Sequence, residues 1–214
     1  MDSPLDVVGV RVLGSLIEKE ITTPDNYPLT LNALVTACNQ TSNRDPVLTL
    51  DEATVAKSLE ELARQSLVRE VHRSDSRAKR YRHLLSESLH LHAGEIAIMC
   101  VLMLRGPQTA GEIRTRTARL FDFVDLTHVE VTLQALITLS TPLVVQLPRR
   151  PGQKEVRYAH LLSGEPQLDM SEPIPTAESQ DQTRMEALEQ SIDSLRTELA
   201  SLRAQFEEFR RQFN

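Results

Sequence analysis

The sequence has no tryptophan, 4% aromatic residues, two cysteines and seven scattered glycines among its 214 residues. Each scarcity excludes something. Few aromatic rings leave little on which to stack bases or sugars. The glycines form no phosphate-cradling loop, and no Gly-x-Ser-x-Gly or His-Glu-x-x-His string occurs. Cys38 and Cys100 lie far apart in apolar helical patterns, without Cys-x-x-Cys spacing, so both are expected to be buried free thiols rather than redox or metal groups. No apolar run approaches the length of a membrane span. The opening segment Met1-Asp2-Ser3-Pro4-Leu5-Asp6 is acidic where a secretory signal needs a basic start and an apolar core, which leads to an expected cytoplasmic location.

What is present is charge, unevenly spread. The net charge is −6, yet residues 1–86 carry 11 Lys and Arg against 12 Asp and Glu, and residues 87–164 carry 8 against 7. Residues 165–214 carry 5 against 11, so the acidity sits in the tail.

The chain also repeats itself. Tyr81-Arg82-His83-Leu84-Leu85-Ser86 recurs as Tyr158-Ala159-His160-Leu161-Leu162-Ser163, Val55…Leu59…Leu62 recurs as Val129…Leu133…Leu136, and Leu67-Val68 recurs as Leu143-Val144. Landmarks in constant order at offsets of 74 to 77 indicate a duplicated small domain, the period being too long for a solenoid repeat. In the first copy an apolar face through Val8, Val12, Leu13, Leu16 and Ile17 predicts a helix that ends at Thr23-Pro24. A short helix Leu31–Cys38 follows with Thr30 as its cap, then a third over Glu52–Gln65 capped by Asp51. Leu67–His72 and Arg80–Leu85 read as two strands around a polar, cationic turn. In the second copy the helices run through Ile96–Leu104, Ala110–Leu120 and Thr127–Leu139, and the hairpin pairs Leu143–Leu147 with Val156–Leu162. Three helices closed by a hairpin make a winged helix. The expected fold is therefore mainly α with small β-hairpins, an α+β class: winged-helix domains at 1–87 and 88–164, a linker at 165–180 and a coiled-coil helix at 181–214.

The string Cys38-Asn39-Gln40-Thr41-Ser42-Asn43-Arg44-Asp45-Pro46-Val47, with Pro107-Gln108-Thr109-Ala110-Gly111-Glu112-Ile113-Arg114, resembles the bacterial YceH-like family over roughly residues 5–163. The resemblance implies a pair of winged helices. It brings no activity with it.

Beyond Pro166, Pro173 and Pro175, apolar residues recur at Met185, Leu188, Ile192, Leu195, Leu199, Leu202, Phe206, Phe209 and Phe213, with spacings that alternate three and four. That is an a/d heptad pattern, sufficient for a coiled coil about 40 Å long. With Met185 at position a, Arg184 faces Glu189 and Glu198 faces Arg203 of a parallel partner, which favours a homodimer. The terminal phenylalanines are bulky for such a seam and leave open a helix folded back on its own chain.

Affinity of a winged helix for DNA comes mostly from cations that neutralise phosphate. Arg69, Arg73, Arg77, Lys79, Arg80 and Arg82 cluster on the first hairpin, diluted by Glu70 and Asp75. Asn43 and Arg44 precede the third helix, on which Thr54, Lys57, Ser58 and Glu61 are the residues expected to face outward. Asn43, Arg44, Lys57, Ser58, Arg73, Arg77, Lys79 and Arg80 are thus the candidate double-stranded DNA contacts. Against this, Asp51, Glu52, Glu60 and Glu61 share the third helix, and no Lys or Arg occurs between Leu120 and Pro148. A protein-interaction scaffold, its partner docked on the third helices or the tail, is the alternative. His90-Leu91-His92 has only Glu95 as a nearby acidic companion and reads as a linker rather than a metal site. No enzyme activity, metal or cofactor is expected.

Overall fold

A computed structural model describes residues 3–72, 78–149 and 155–166. The chain up to residue 166 forms one compact unit, and its described residues make seven α-helices and two small antiparallel sheets, an α+β arrangement. The expected linker beyond Pro166 and the heptad helix 181–214 lie outside the described residues.

In the first half α1 spans Val7–Thr22, and the Asp6 carboxylate caps it by accepting the Gly9 N–H at 2.7 Å. The short strand β1 (Leu29–Thr30) leads into α2 (Leu31–Cys38), capped by the Thr30 hydroxyl, and α3 (Glu52–Arg64) starts at the Asp51 carboxylate, 2.7 Å from the Thr54 nitrogen. The strands β2 (Val68–Val71) and β3 (Arg80–His83) complete a sheet of order β1-β3-β2.

A short helix α4 (Leu85–Leu89) then leads to α5 (Ala93–Arg105), α6 (Ala110–Thr117), α7 (Leu126–Ile137) and the strands β4 (Val144–Gln146) and β5 (Tyr158–His160). The duplication read from the sequence recurs in the register. Tyr81 pairs with Leu29 and Tyr158 bridges Gln108, while His83 stands opposite Val68 and His160 opposite Val144. The Leu84 and Leu161 nitrogens then donate to the carbonyls of Leu67 and Leu143 at 2.7 and 2.8 Å.

The strands are shorter than the sequence reading and α7 runs Leu126–Ile137 rather than Thr127–Leu139; two further differences redirect the chain. Leu85 leaves the hairpin to begin α4, which ends on His90 in the left-handed region, and the Glu95 carboxylate holds the His92 nitrogen at the start of α5. His90 and His92 are residues of helix ends, His90 closing α4 and His92 preceding α5. In turn α6 stops at Thr117 rather than Leu120. The Leu120 and Phe121 nitrogens both bond the Thr117 carbonyl, forming a turn that carries Arg119 back toward α1.

One hydrophobic core runs from Leu5 and Leu13 through Ile98 and Leu102 to Leu133 and Leu162. Its axis is the pair α1 and α5. Every residue of α1 from Gly9 to Glu18 is buried, as is α5 from Ile96 to Leu104; α5 is apolar on all sides there and is covered on all sides, while α1 also buries Arg11, Ser15 and Glu18. The contact is closest at Gly14, where a Cβ would lie 3.0 Å from Leu104 Cδ2 and 3.2 Å from Met103 Cβ. The Cys100 thiol reaches the Gly14 carbonyl at 3.5 Å.

Candidate functional site

The loop between α2 and α3 carries the residues read as the family string, and the structure gives that loop a structural task. Arg44 is 5% exposed. Its guanidinium donates to both carboxylate oxygens of Glu18, at 3.1 and 2.7 Å, and to the Ala37 carbonyl at 2.8 Å. The expectation that Arg44 contacts DNA is thereby corrected, since its donors are turned inward. Arg11, also buried, donates to the carbonyls of Cys38 and Pro46 at 3.1 and 2.5 Å. The far side of the loop rests on α5, where the Asp45 nitrogen donates to the Leu104 carbonyl and Arg105 donates to Asn43 Oδ1 at 3.3 Å. Asn43 itself takes a φ of 59°, a left-handed conformation that Asn tolerates better than most residues.

Glu18 is the centre of this arrangement. It is fully buried and receives Arg44, Lys19 at 3.3 Å, and Arg119 from the turn after α6. Burial alone would raise its carboxyl pKa. The hydrogen bond and charge of Arg44, with the charges of Arg119 and Lys19, reverse that and hold it at about 2. Sequence reading passed over Glu18 and Arg119. A signal exists in α1, where Arg11, Ser15 and Glu18 recur at four and three residues among Val10, Val12, Leu13, Leu16 and Ile17, marking one polar stripe that needs partners.

On α3, Lys57 is exposed and Ser58 is not. Ser58 is 8% exposed because it follows Val55 by three residues and precedes Leu62 by four, on the stripe that faces the core. Both line a groove of about 420 Å³ between α3 and the segment Ser3–Gly9, with Leu5, Val8 and Leu62 as its apolar walls. The outward reading of Ser58 is corrected accordingly.

Among the described hairpin cations, Lys79, Arg80 and Arg82 are engaged with the protein itself. Lys79 Nζ lies 3.1 Å from Glu70, whose hydrogen bond and charge raise the lysine pKa, and Glu60 of α3 adds to the same field. Arg80 is turned inward and donates to the Pro28 carbonyl at 2.8 Å, and Arg82 pairs with Glu87. Arg69 is exposed. Arg73 and Arg77 lie outside the described residues. In the second half Arg157 donates to the Pro107 carbonyl and to Glu112, at 2.8 and 2.9 Å. The structure thus places Arg80 at the start of β3 with Lys79 just before it, and Lys57 and Ser58 together on α3, while Asn43 and Arg44 face the core and α5.

The outer face of α7 is of another kind. Thr127, Val131, Gln134 and Ala135 are exposed with Glu130 beside them, and none is a cation. Val131 is 64% exposed, Val124 just before the helix 79% and Leu126 42%.

Cys38 and Cys100 are both buried free thiols, and burial pushes both pKa values up, away from the reactive thiolate. His83 pairs with Glu20 at 2.6 Å but is 1% exposed. Among the described residues no cluster of His, Cys, Asp and Glu could hold a metal ion, and no helix is long and apolar enough to cross a membrane.

Seven helices and two small antiparallel sheets around one core, with a buried ion cluster at Glu18, define an α+β protein among the described residues. The chain belongs to the family described as "Protein of unknown function, DUF480", whose model matches residues 5–153. It is 49% identical over 220 residues to a UPF0502 protein of Geobacter sulfurreducens, covering all of both chains. It is 49% identical over 199 residues to a UPF0502 protein of Opitutus terrae, covering 91% of this chain and 86% of the relative. A UPF0502 protein of a Janthinobacterium species is 46% identical over 210 residues, covering 97% of this chain and 90% of the relative. The membership agrees with the resemblance carried by Cys38–Val47 and Pro107–Arg114.

Proposed function

We propose that the chain is a non-enzymatic tandem winged-helix protein that docks a protein partner on the outer face of α7. In this fold the third helix of a module is the surface that meets a partner, and α7 is the third helix of the second module. The observation that carries the reading is its exposed stripe, uncharged but for Glu130 and centred on Val131 at 64% exposure. Such a surface repels phosphate where it is charged and has no donor cation for it, whereas exposed aliphatic groups rimmed by Thr and Gln suit a protein contact. Glu18, paired with Arg44 and Arg119, ties the α2–α3 loop and the turn after α6 to α1. The heptad positions Met185 to Phe209 support a second element of the same reading, a parallel homodimer through the tail.

The test is affinity capture with wild type and Val131→Glu. The reading expects a partner retained by wild type and lost with the charged variant, with equal thermal stability of the two. Equal capture by both removes α7 as the docking face.

Binding of duplex DNA through the first hairpin is the second reading. It is favoured by exposed Arg69 and Lys57 together with Arg73 and Arg77, and weakened by the internal engagement of Arg44, Lys79 and Arg80. Four phosphate contacts would give a log–log salt slope of about −4. Absence of duplex binding at low salt, or binding unchanged by Arg77→Ala combined with Lys79→Ala, sets it aside.

A further inference from the structure

Exposed aliphatic groups gather at the start of α7. Among the described residues five large hydrophobic side chains are exposed, and three of them, Val124, Leu126 and Val131, fall within one short stretch of chain. Exposed aliphatics scattered singly are ordinary, whereas a group of them marks a contact surface. Val131 shares the outer face of the helix with Thr127, and Leu126 shares a flank with Glu130, four residues on.

The segment that leads into the helix is held from beneath. Phe121, Phe123 and His128 pack edge to face, with centroids 4.7 Å apart for the two phenylalanines and 5.0 Å for Phe123 and His128. Phe123 is buried against Gly94 at the start of α5, where a Cβ would stand 3.4 Å from the ring. The Asp125 carboxylate caps α7 by accepting the His128 N–H at 2.7 Å, and Arg114 donates to the Val124 carbonyl at 3.0 Å. Val124 is therefore fixed while open to solvent, and a surface already fixed loses little conformational freedom on binding.

Charge along this segment has one sign. From Phe121 to Leu147 the chain carries Asp122, Asp125 and Glu130 and no Lys or Arg. All three acidic residues are exposed, and none forms an ion pair among the described residues. Against them stands Arg114 of α6, whose guanidinium is turned to the Val124 carbonyl. The backbone groups of α7 bond within the helix, so an extended strand laid on it finds no backbone partner. A second helix satisfies its own backbone and packs side chain against side chain.

We propose that the partner met by α7 is a cationic amphipathic helix, its aliphatic side chains covering Val124, Leu126 and Val131 and its Lys or Arg side chains meeting Asp122, Asp125 and Glu130. This rests on the reading of α7 as the docking face and adds the charge and form of what docks there. The acidic rim attracts such a helix and repels an acidic one, so it selects among apolar partners by charge.

The test places a photo-crosslinking side chain at Thr127 of the full-length chain, beside Val131, and titrates two amphipathic helical peptides of about five turns, one built of Leu and Lys and the other of Leu and Glu. The readout is the adduct at that one position, so cationic peptide held by the acidic tail does not contribute to it. The Lys peptide is expected to give an adduct, and the Glu peptide to need about tenfold more for half-saturation. Asp122→Asn combined with Glu130→Gln weakens the Lys peptide about fivefold, the size of two exposed charge pairs. Glu52→Gln combined with Glu60→Gln, on α3, leaves it unchanged, and Val131→Lys removes the adduct. Equal half-saturation by the two peptides, or a Lys-peptide adduct indifferent to the Asp122 and Glu130 changes, overturns the proposal and leaves α7 as a docking face. No adduct from either peptide also overturns it, and capture with Val131→Glu then decides the docking reading separately. Nucleic-acid adducts at position 127 contradict both.

Discussion

Glu18, in the middle of α1, accepts a hydrogen bond from Arg119, a residue 101 positions further along the chain. With Arg44 on both of its oxygens, this buried carboxylate joins the α2–α3 loop to the turn after α6. Replacing it by glutamine leaves Arg44 buried without a counter-charge, and losing one partner of a buried pair costs about 3–5 kcal/mol. Chemical denaturation of Glu18→Gln should show that loss. The pH dependence has a definite sign. Because the folded pKa is depressed from 4.5 to about 2, the stabilisation is fully present above about pH 4.5 and fades as pH falls toward 2. In Glu18→Gln that part of the acid dependence disappears.

Arginine substitutions separate core from surface. Arg44→Ala exposes the same cluster from the other side and should destabilise by about 3 kcal/mol or more. Arg69→Ala, at an exposed position, should stay within about 0.5 kcal/mol of wild type. Urea midpoints of the two variants measure this contrast directly.

Packing at Gly14 is tight enough to be read by single methyl groups. Alanine there places a Cβ at 3.0 Å from Leu104 Cδ2, a side-chain end that can give way, and should cost about 1 kcal/mol. Valine adds two methyls against Met103 and Leu104 and should cost about 3 kcal/mol or more. A thermal series of Ala, Ser and Val at this position orders the costs by volume if α1 and α5 meet as described.

His160 offers a second pH signature. Burial lowers its pKa from 6.5 to about 4. The unfolded chain therefore binds a proton more readily than the folded one between those values, so stability is highest above about pH 6.5 and declines as pH falls toward 4. His160→Leu should flatten the denaturation midpoint across that window. The counterpart His83 has Glu20 against its Nε2 at 2.6 Å, while α5 carries no carboxylate after Glu95, so the two repeat-related histidines meet different surroundings.

Much of the backbone plan is legible in the sequence. Thr30 and Asp51 cap the helices they precede, and the repeated Tyr-x-His-Leu string occupies one register in both sheets, because caps and cross-strand pairing are local and leave periodic marks. Side-chain direction is less legible. Arg44 reads as a surface cation until its partner Glu18, 26 positions away, is placed beside it, and no local pattern encodes that pairing. Ser58 reads as outward when Leu59 and Leu62 alone define the core stripe, and including Val55 rotates it inward. Leu85 matches its repeat partner in sequence, yet it starts α4 because the first half must turn into α5 whereas β5 has no further helix to enter among the described residues.

The most direct measurement places a photo-crosslinking side chain at Val131 or at Arg69 of the full-length chain in the cell. The docking account expects a discrete protein adduct from position 131, lost when Glu130 and Gln134 are both replaced by lysine, and no nucleic-acid adduct from position 69. Nucleic-acid adducts from position 69 with no protein adduct from position 131 would contradict it.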